Sequence, residues 1–148
     1  MYNKYMQCAI DEAVLSLKLG EMPVGAVVVK DGIIIGKGHN LKETEKDATQ
    51  HAEINAIKDA CINIGDWRLN DASLYVTLEP CPMCAGAIIE SRIKRVYIGA
   101  ESRDSGAAGT VYDFLNKKVD VYFGIMEDDC KKLISDFFSR LRQIRRDG

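Results

Sequence analysis

The sequence has no apolar run near the ~18 residues that a membrane-spanning helix requires; its longest such stretches, residues 24–29 and 33–35, are short. A membrane anchor is therefore not expected. The opening Met1-Tyr2-Asn3-Lys4 leads into an amphipathic pattern, so no signal peptide is expected either. Disulfide scaffolding is also missing. The 5 cysteines are an odd number and two of them form a short-range pair, which argues for a reducing compartment, with the cytoplasm as the expected location. Proline is scarce, at 3 residues, and no repeat or low-complexity segment breaks the chain. A strong charge of either sign is lacking, since the net charge is −2. The tail is the exception: Arg140, Arg142, Arg145 and Arg146 face one acid, Asp147. That is either the solvated face of a terminal helix or a set of phosphate contacts.

What remains is 47% hydrophobic and 28% charged over 148 residues, read as a single domain over 1–148. A chain of this length buries roughly 70% of its unfolded surface, enough for a core without staples. Met6, Ile10, Ala13, Val14 and Leu17 mark one face of a helix that Gly20 stops. Residues 23–29 and 33–38 read as strands around Lys30-Asp31-Gly32, a hairpin and so antiparallel. Asp47 with Gln50 resembles a capping box opening a second helix that runs to Gly65 and holds His51 in its first turn. A strand over Ser73–Leu78 leads to a helix with Pro82 in its first position, extending to Ile93. Strands at Arg95–Ala100 and 119–123, a short helix over 111–115 and a terminal helix through Leu133, Phe137, Leu141 and Ile144 complete the order. The expected fold is α/β: a three-layer α/β/α sandwich, a five-stranded mixed sheet with helices on both faces and parallel crossovers after Asp47.

Cys81 and Cys84 stand at the i,i+3 spacing that brings side chains together, and at a helix start, where the dipole and free N–H groups favour thiolates. With His51 they make three ligands, the number catalytic zinc sites use while leaving a fourth position to water. A structural site would call for a fourth Cys or His, and the one other histidine, His39, reads as a polar residue at a strand end near the pocket. Glu53 is placed to move protons. Residues i and i+2 of a regular helix diverge by about 200°, so His51 and Glu53 converge only at the helix end. The remaining cysteines, Cys8, Cys61 and Cys130, read as ordinary core or surface thiols. The pattern His-x-Glu followed by Pro-Cys-x-x-Cys matches the known signature of zinc-dependent nucleic-acid and nucleoside deaminases.

Beyond that signature the chain resembles the bacterial tRNA-specific adenosine deaminases, of the cytidine deaminase-like superfamily, along nearly its whole length. The likeness is carried by Met22-Pro23-Val24-Gly25-Ala26-Val27, Gly38-His39-Asn40 and His51-Ala52-Glu53, and by the run from Leu74 to Arg95. Gly106-Ala107-Ala108-Gly109 and Phe137-Phe138 add to it. The resemblance implies one Zn²⁺ per subunit on His51, Cys81 and Cys84, with Glu53 as general acid/base. It implies Asn40 holding the target nucleoside and Val24 walling the base. The implied reaction converts the wobble adenosine of a tRNA anticodon loop to inosine, Glu53 protonating N1 as C6 is attacked and ammonia leaves. A homodimer is implied as well, with RNA contacts in the loop at Ser102 and Arg103; the charge of the tail makes Arg142, Arg145 and Arg146 candidates for further RNA contacts, with a solvated helix face as the alternative. Two stretches depart from the family: Glu101-Ser102 stands where Arg-Asp is usual after Gly-Ala, and the Asn116-Lys117-Lys118 connection is short and lacks the usual Asn-His pair.

Two other readings share these residues. One is a deaminase of a free nucleobase or nucleoside, since pocket details rather than the motif set substrate choice. The other is a non-catalytic RNA-binding module with structural zinc, in which Glu53 would be dispensable.

Overall fold

The computed structural model describes residues 1–147. Helix α1 (Lys4–Lys18) starts where the Asn3 side chain accepts hydrogen bonds from Tyr5 N and Met6 N, and it ends as Gly20 turns to φ 78°. Strands β1 (Gly25–Lys30) and β2 (Ile33–His39) form the expected antiparallel hairpin. Asp31 and Gly32 both take positive φ, 52° and 76°, the pairing a two-residue hairpin of this twist needs. Helix α2 (Ala52–Ile64), β3 (Ser73–Leu78), α3 (Pro82–Glu90), β4 (Arg95–Ala100), β5 (Asp120–Phe123) and α4 (Glu127–Asp147) follow.

The sheet is five-stranded and mixed, in the order β2-β1-β3-β4-β5. β1 is antiparallel to both its neighbours, whereas β3, β4 and β5 run parallel. α1 and α4 cover one face, around Met6, Ile10, Val27, Tyr75 and Cys130. On the other face α2 and α3 pack over Ala26, Val28, Leu74, Val76 and Val96, with Ala56, Ala60 and Ile88 from the helices. α2 lies unusually close to β2. A Cβ on Gly36 would run into the α2 backbone at Ala56 and Ala60, and one on Gly38 would meet Ala52 O and Ala56 N. These two glycines set the height of α2 above the sheet, and with it the position of His51.

Three expectations are corrected. α2 begins at Ala52, not after Asp47. The Asp47 carboxylate accepts from Thr49 N (2.9 Å) and Thr49 Oγ1 (2.7 Å), closing a local turn that occupies the capping group before the helix starts. α3 stops at Glu90 rather than Ile93, because Arg92 takes φ 68°; Ile93 is nevertheless buried. Residues 111–115 form no helix. Val111 N and Tyr112 N both donate to Gly106 O, and Phe114 N donates to Ala107 O. Pairing back onto 106–108 takes the donors that a helical turn would have used. The β4–β5 connection is accordingly a loop, while β3 to β4 crosses through α3 as the pattern predicts.

Candidate active site

Two helix starts meet at the carboxyl end of β3. His51 is the N-cap of α2 and Cys81 the N-cap of α3, each with extended backbone and neither using its side chain to cap. Pro82 fixes the first position of α3, and Cys84 follows within that turn. The His51 Nδ1 atom stands 3.6 Å from Cys81 Sγ and 3.5 Å from Cys84 Sγ. The three ligand atoms lie within 4.8 Å of one another. A tetrahedral ion with metal–nitrogen bonds near 2.05 Å and metal–sulfur bonds near 2.3 Å holds N and S about 3.5–3.6 Å apart. The observed spacings fit a metal of that kind. Among the described residues this is the one such His/Cys/Asp/Glu group.

Electrostatics agree with the geometry. The hydrogen bond from Cys84 holds Cys81 down to about 4. The same contact, with burial, pushes Cys84 up. A cation held by these residues would favour both sulfurs as thiolates. Glu53, in the first turn of α2, is buried, at 4% exposure. Burial raises its carboxyl from 4.5 to about 7. A carboxyl poised near neutrality can both give and take a proton at working pH. The divergence of i and i+2 is resolved because His51 stands before the helix proper and Glu53 inside it.

A cavity of about 230 Å³ opens onto this centre. Its wall includes His51, Glu53 and Cys81, and also Val24 and Asn40, both nearly buried. Asn40 is fixed at both ends of its amide: Nδ2 donates to Met22 O (3.2 Å) and Oδ1 accepts from Lys42 N (3.1 Å). One N–H and one lone pair stay free for a ligand. Ser102 and Arg103 stand at the rim with Glu101, Asp104 and Ser105. Arg142, Arg145 and Arg146 lie on the exposed final turns of α4 and do not line the cavity. Ile134 and Phe138 of α4 do, however, and Arg142 and Arg145 continue their stripe at helical spacing. His39 is neither a fourth ligand nor part of the wall; its Nδ1 meets Glu12 Oε1 at 3.1 Å.

Sequence reasoning missed Met22, Leu78, Ile134 and Phe138 as wall residues, and it gave no role to Glu79. Glu79 is buried, at 3% exposure, directly ahead of Pro80-Cys81. A carboxylate at the end of an apolar strand was the available signal.

Comparison with known proteins accords with the site. The chain belongs to the MafB19-like deaminase family, whose model matches residues 2–142. Its similar relatives include tRNA-specific adenosine deaminases. It is 46% identical to the tRNA-specific adenosine deaminase of Bacillus subtilis (strain 168) over 144 residues, covering 94% of this chain and 89% of the relative. Against that of Haemophilus influenzae it is 44% identical over 147 residues, covering 95% and 85%. A solved structure from a study of A-to-I editing by tRNA:A34 deaminases at the wobble position matches with a TM-score of 0.84 and 40% identity, over 88% of this chain and 98% of that one. A guanine deaminase from Bacillus subtilis matches with a TM-score of 0.64 and 42% identity, over 76% and 72%.

Proposed function

We propose that this chain, acting as one domain, hydrolytically deaminates adenosine to inosine at the wobble position of a tRNA anticodon loop. The observation that carries the reading is 46% identity over 94% of the chain to a tRNA-specific adenosine deaminase, joined to a buried acid beside a His/Cys/Cys group able to hold a metal. His51, Cys81 and Cys84 would hold the ion, and mixed sulfur and nitrogen donors favour zinc. Bound zinc supplies a Lewis acid that makes water a competent nucleophile near neutral pH. Glu53 would take one proton from the attacking water and deliver it to N1 of the adenine as the C6–O bond forms, then take the second from the new C6 hydroxyl and pass it to the amine, so that the C6–N bond breaks and ammonia leaves. Val24 bounds the base and Asn40 orients the nucleoside through its free N–H and lone pair.

An anticodon loop presents unstacked bases, which lowers the cost of placing one adenine in the pocket. Ser102 and Arg103 at the rim, and Arg142, Arg145 and Arg146 along α4, are the residues we assign to the RNA. Exposed Val111, Tyr112 and Phe114 offer an apolar surface for a second copy in a homodimer. We assign a cytoplasmic location on the proposed tRNA substrate alone; no helix among the described residues is long and apolar enough to cross a membrane.

The guanine deaminase match favours a second reading, a free-base deaminase sharing the same catalytic residues. One assay separates them. The protein is incubated with tRNA carrying adenosine at the wobble position and, separately, with adenosine, adenine, guanine and cytosine. Inosine in the tRNA alone supports the proposal; turnover of a free base or nucleoside with none in tRNA refutes it.

A further inference from the structure

The rim of the cavity has little packing of its own. Glu101, Arg103 and Asp104 are exposed and Ser102 and Ser105 are half-buried, yet together they form one wall of the pocket. What holds them is Glu79. Its Oε1 accepts from Ser102 N (3.1 Å) and from the Thr110 hydroxyl, and its Oε2 accepts from Ala108 N (2.9 Å) and Thr110 N (3.2 Å). Gly106 passes so close that a Cβ there would strike the carboxylate. Segment 102–110 is thus wrapped around one buried anion, whose charge is met by main-chain N–H groups and a hydroxyl. Glu79 is itself fixed, its N donating to Ala100 O (2.8 Å) at the end of β4, while Pro80 O accepts from Ala107 N (2.8 Å). Cys81, a metal ligand, lies two residues on.

We infer that Glu79 is a positioning residue that sets the distance between the substrate-facing wall at 102–105 and the metal centre, and so governs how well the polynucleotide substrate is held. The inference rests on the substrate reading above. Hydrogen bonds to a buried charge are the strong kind, and only an anion with four acceptor sites can satisfy these donors. A carboxamide in its place would turn an NH₂ group toward N–H groups. When the wall is released, the competent arrangement is populated for a fraction of the time. Apparent affinity then falls by that fraction, while turnover of the bound substrate is preserved.

The experiment compares wild type with Glu79→Gln, Thr110→Val and Thr110→Ser, using an anticodon stem-loop with adenosine at the wobble position. Thr110→Val keeps the fold should Glu79→Gln fail to yield soluble protein, because it deletes one donor and preserves shape. The readouts are KM and kcat, zinc per chain, and amide hydrogen exchange at 102–105. Thr110→Val and Glu79→Gln are expected to raise KM about tenfold or more with kcat within about twofold, with full zinc and faster exchange at 102–105. Thr110→Ser, which retains the hydroxyl, should match wild type. An unchanged KM, or a fall in kcat that tracks lost zinc, overturns the inference. If wild type does not turn over the stem-loop, the substrate reading fails on its own. Exchange then decides the positioning role: acceleration confined to the two disabling variants supports it, and unchanged exchange at 102–105 ends it.

Discussion

His51 Nδ1 lies 3.5 Å from Cys84 Sγ although the residues are 33 positions apart in the chain. Each is carried at the start of a helix that leaves the same end of the sheet, so the candidate metal-ligand group is assembled by two helix N-termini rather than by a loop. The site is therefore only as accurate as the seating of α2 and α3.

The first expectation concerns the ion. Purified protein should carry one zinc per chain, measured by elemental analysis, and Cys84→Ala should lose it. Because the unfolded chain has no preformed site, metal binding adds to stability, by about 4 kcal/mol when free metal is near 1,000 times its Kd. A chelator should therefore lower the Tm, and added zinc should restore it. Equal melting with and without metal would contradict the ligand assignment.

Glu53→Gln keeps the size of the side chain and removes its ability to take a proton. Deamination should fall by about 10²–10⁴-fold, while zinc content and circular dichroism stay those of wild type. This variant also distinguishes an enzyme from a zinc-bearing binding module, for which it would be silent. Normal ammonia release by Glu53→Gln would remove the residue from the mechanism.

Gly38→Ala tests the seating of α2. The added methyl meets Ala52 O and Ala56 N, backbone atoms that cannot swing aside. Overpacking of this kind costs about 1–3 kcal/mol. Lifting α2 also carries His51 away from the two sulfurs, so zinc affinity should drop together with stability. Gly86 is the control, since nothing lies within 4 Å of a Cβ there. Gly86→Ala should leave metal content unchanged.

Much of this site is written in local sequence. The Cys-x-x-Cys spacing, Pro82 and the acid two places after His51 are short-range signals, and each fell where expected. The error at Asp47 shows the limit: a capping residue was present, but its carboxylate was already bound to Thr49, and the chain alone does not say which donor wins. The 111–115 segment failed for a related reason. Its donors are taken by Gly106 and Ala107, partners chosen by how the loop folds around Glu79. Wall residues from α4 were hidden for a third reason, since 81 to 87 positions in the chain separate Ile134 and Phe138 from Glu53 and His51, which line the same cavity.

Glu21 gives a dependence on pH away from the His51, Cys81 and Cys84 group. It is buried, at 1% exposure, and accepts from Glu43 N (3.1 Å) and Thr44 N (2.6 Å), anchoring the segment after Asn40. Burial by itself raises its carboxyl, but the hydrogen bonds from Thr44 and Glu43 outweigh that, and the folded value lies below the ordinary 4.5. A depressed acid contributes stability above its unfolded value and loses it as pH falls through the folded one. Amide exchange at Glu43 and Thr44, corrected for intrinsic rates, should therefore rise below about pH 4.5. Glu21→Gln should show raised exchange already at neutral pH, and little further change on acidification.

The arginines at the end of α4 yield the last prediction. Arg142 and Arg145 extend the Ile134–Phe138 stripe outward from the cavity, with Arg146 beside them, which puts three cations where RNA leaving the pocket would pass. If each neutralises one phosphate, binding of the anticodon stem-loop should weaken with salt, and the three together should account for about 2 of the log–log slope. Replacing all three with alanine should flatten the slope by that amount and leave zinc content and the kcat at saturating RNA unchanged. An unaltered slope would return these residues to a solvated helix face. The phosphate contacts would then be sought at Arg103, which is held only by an exposed pairing with Glu101 at 3.3 Å and is free to swing toward the RNA.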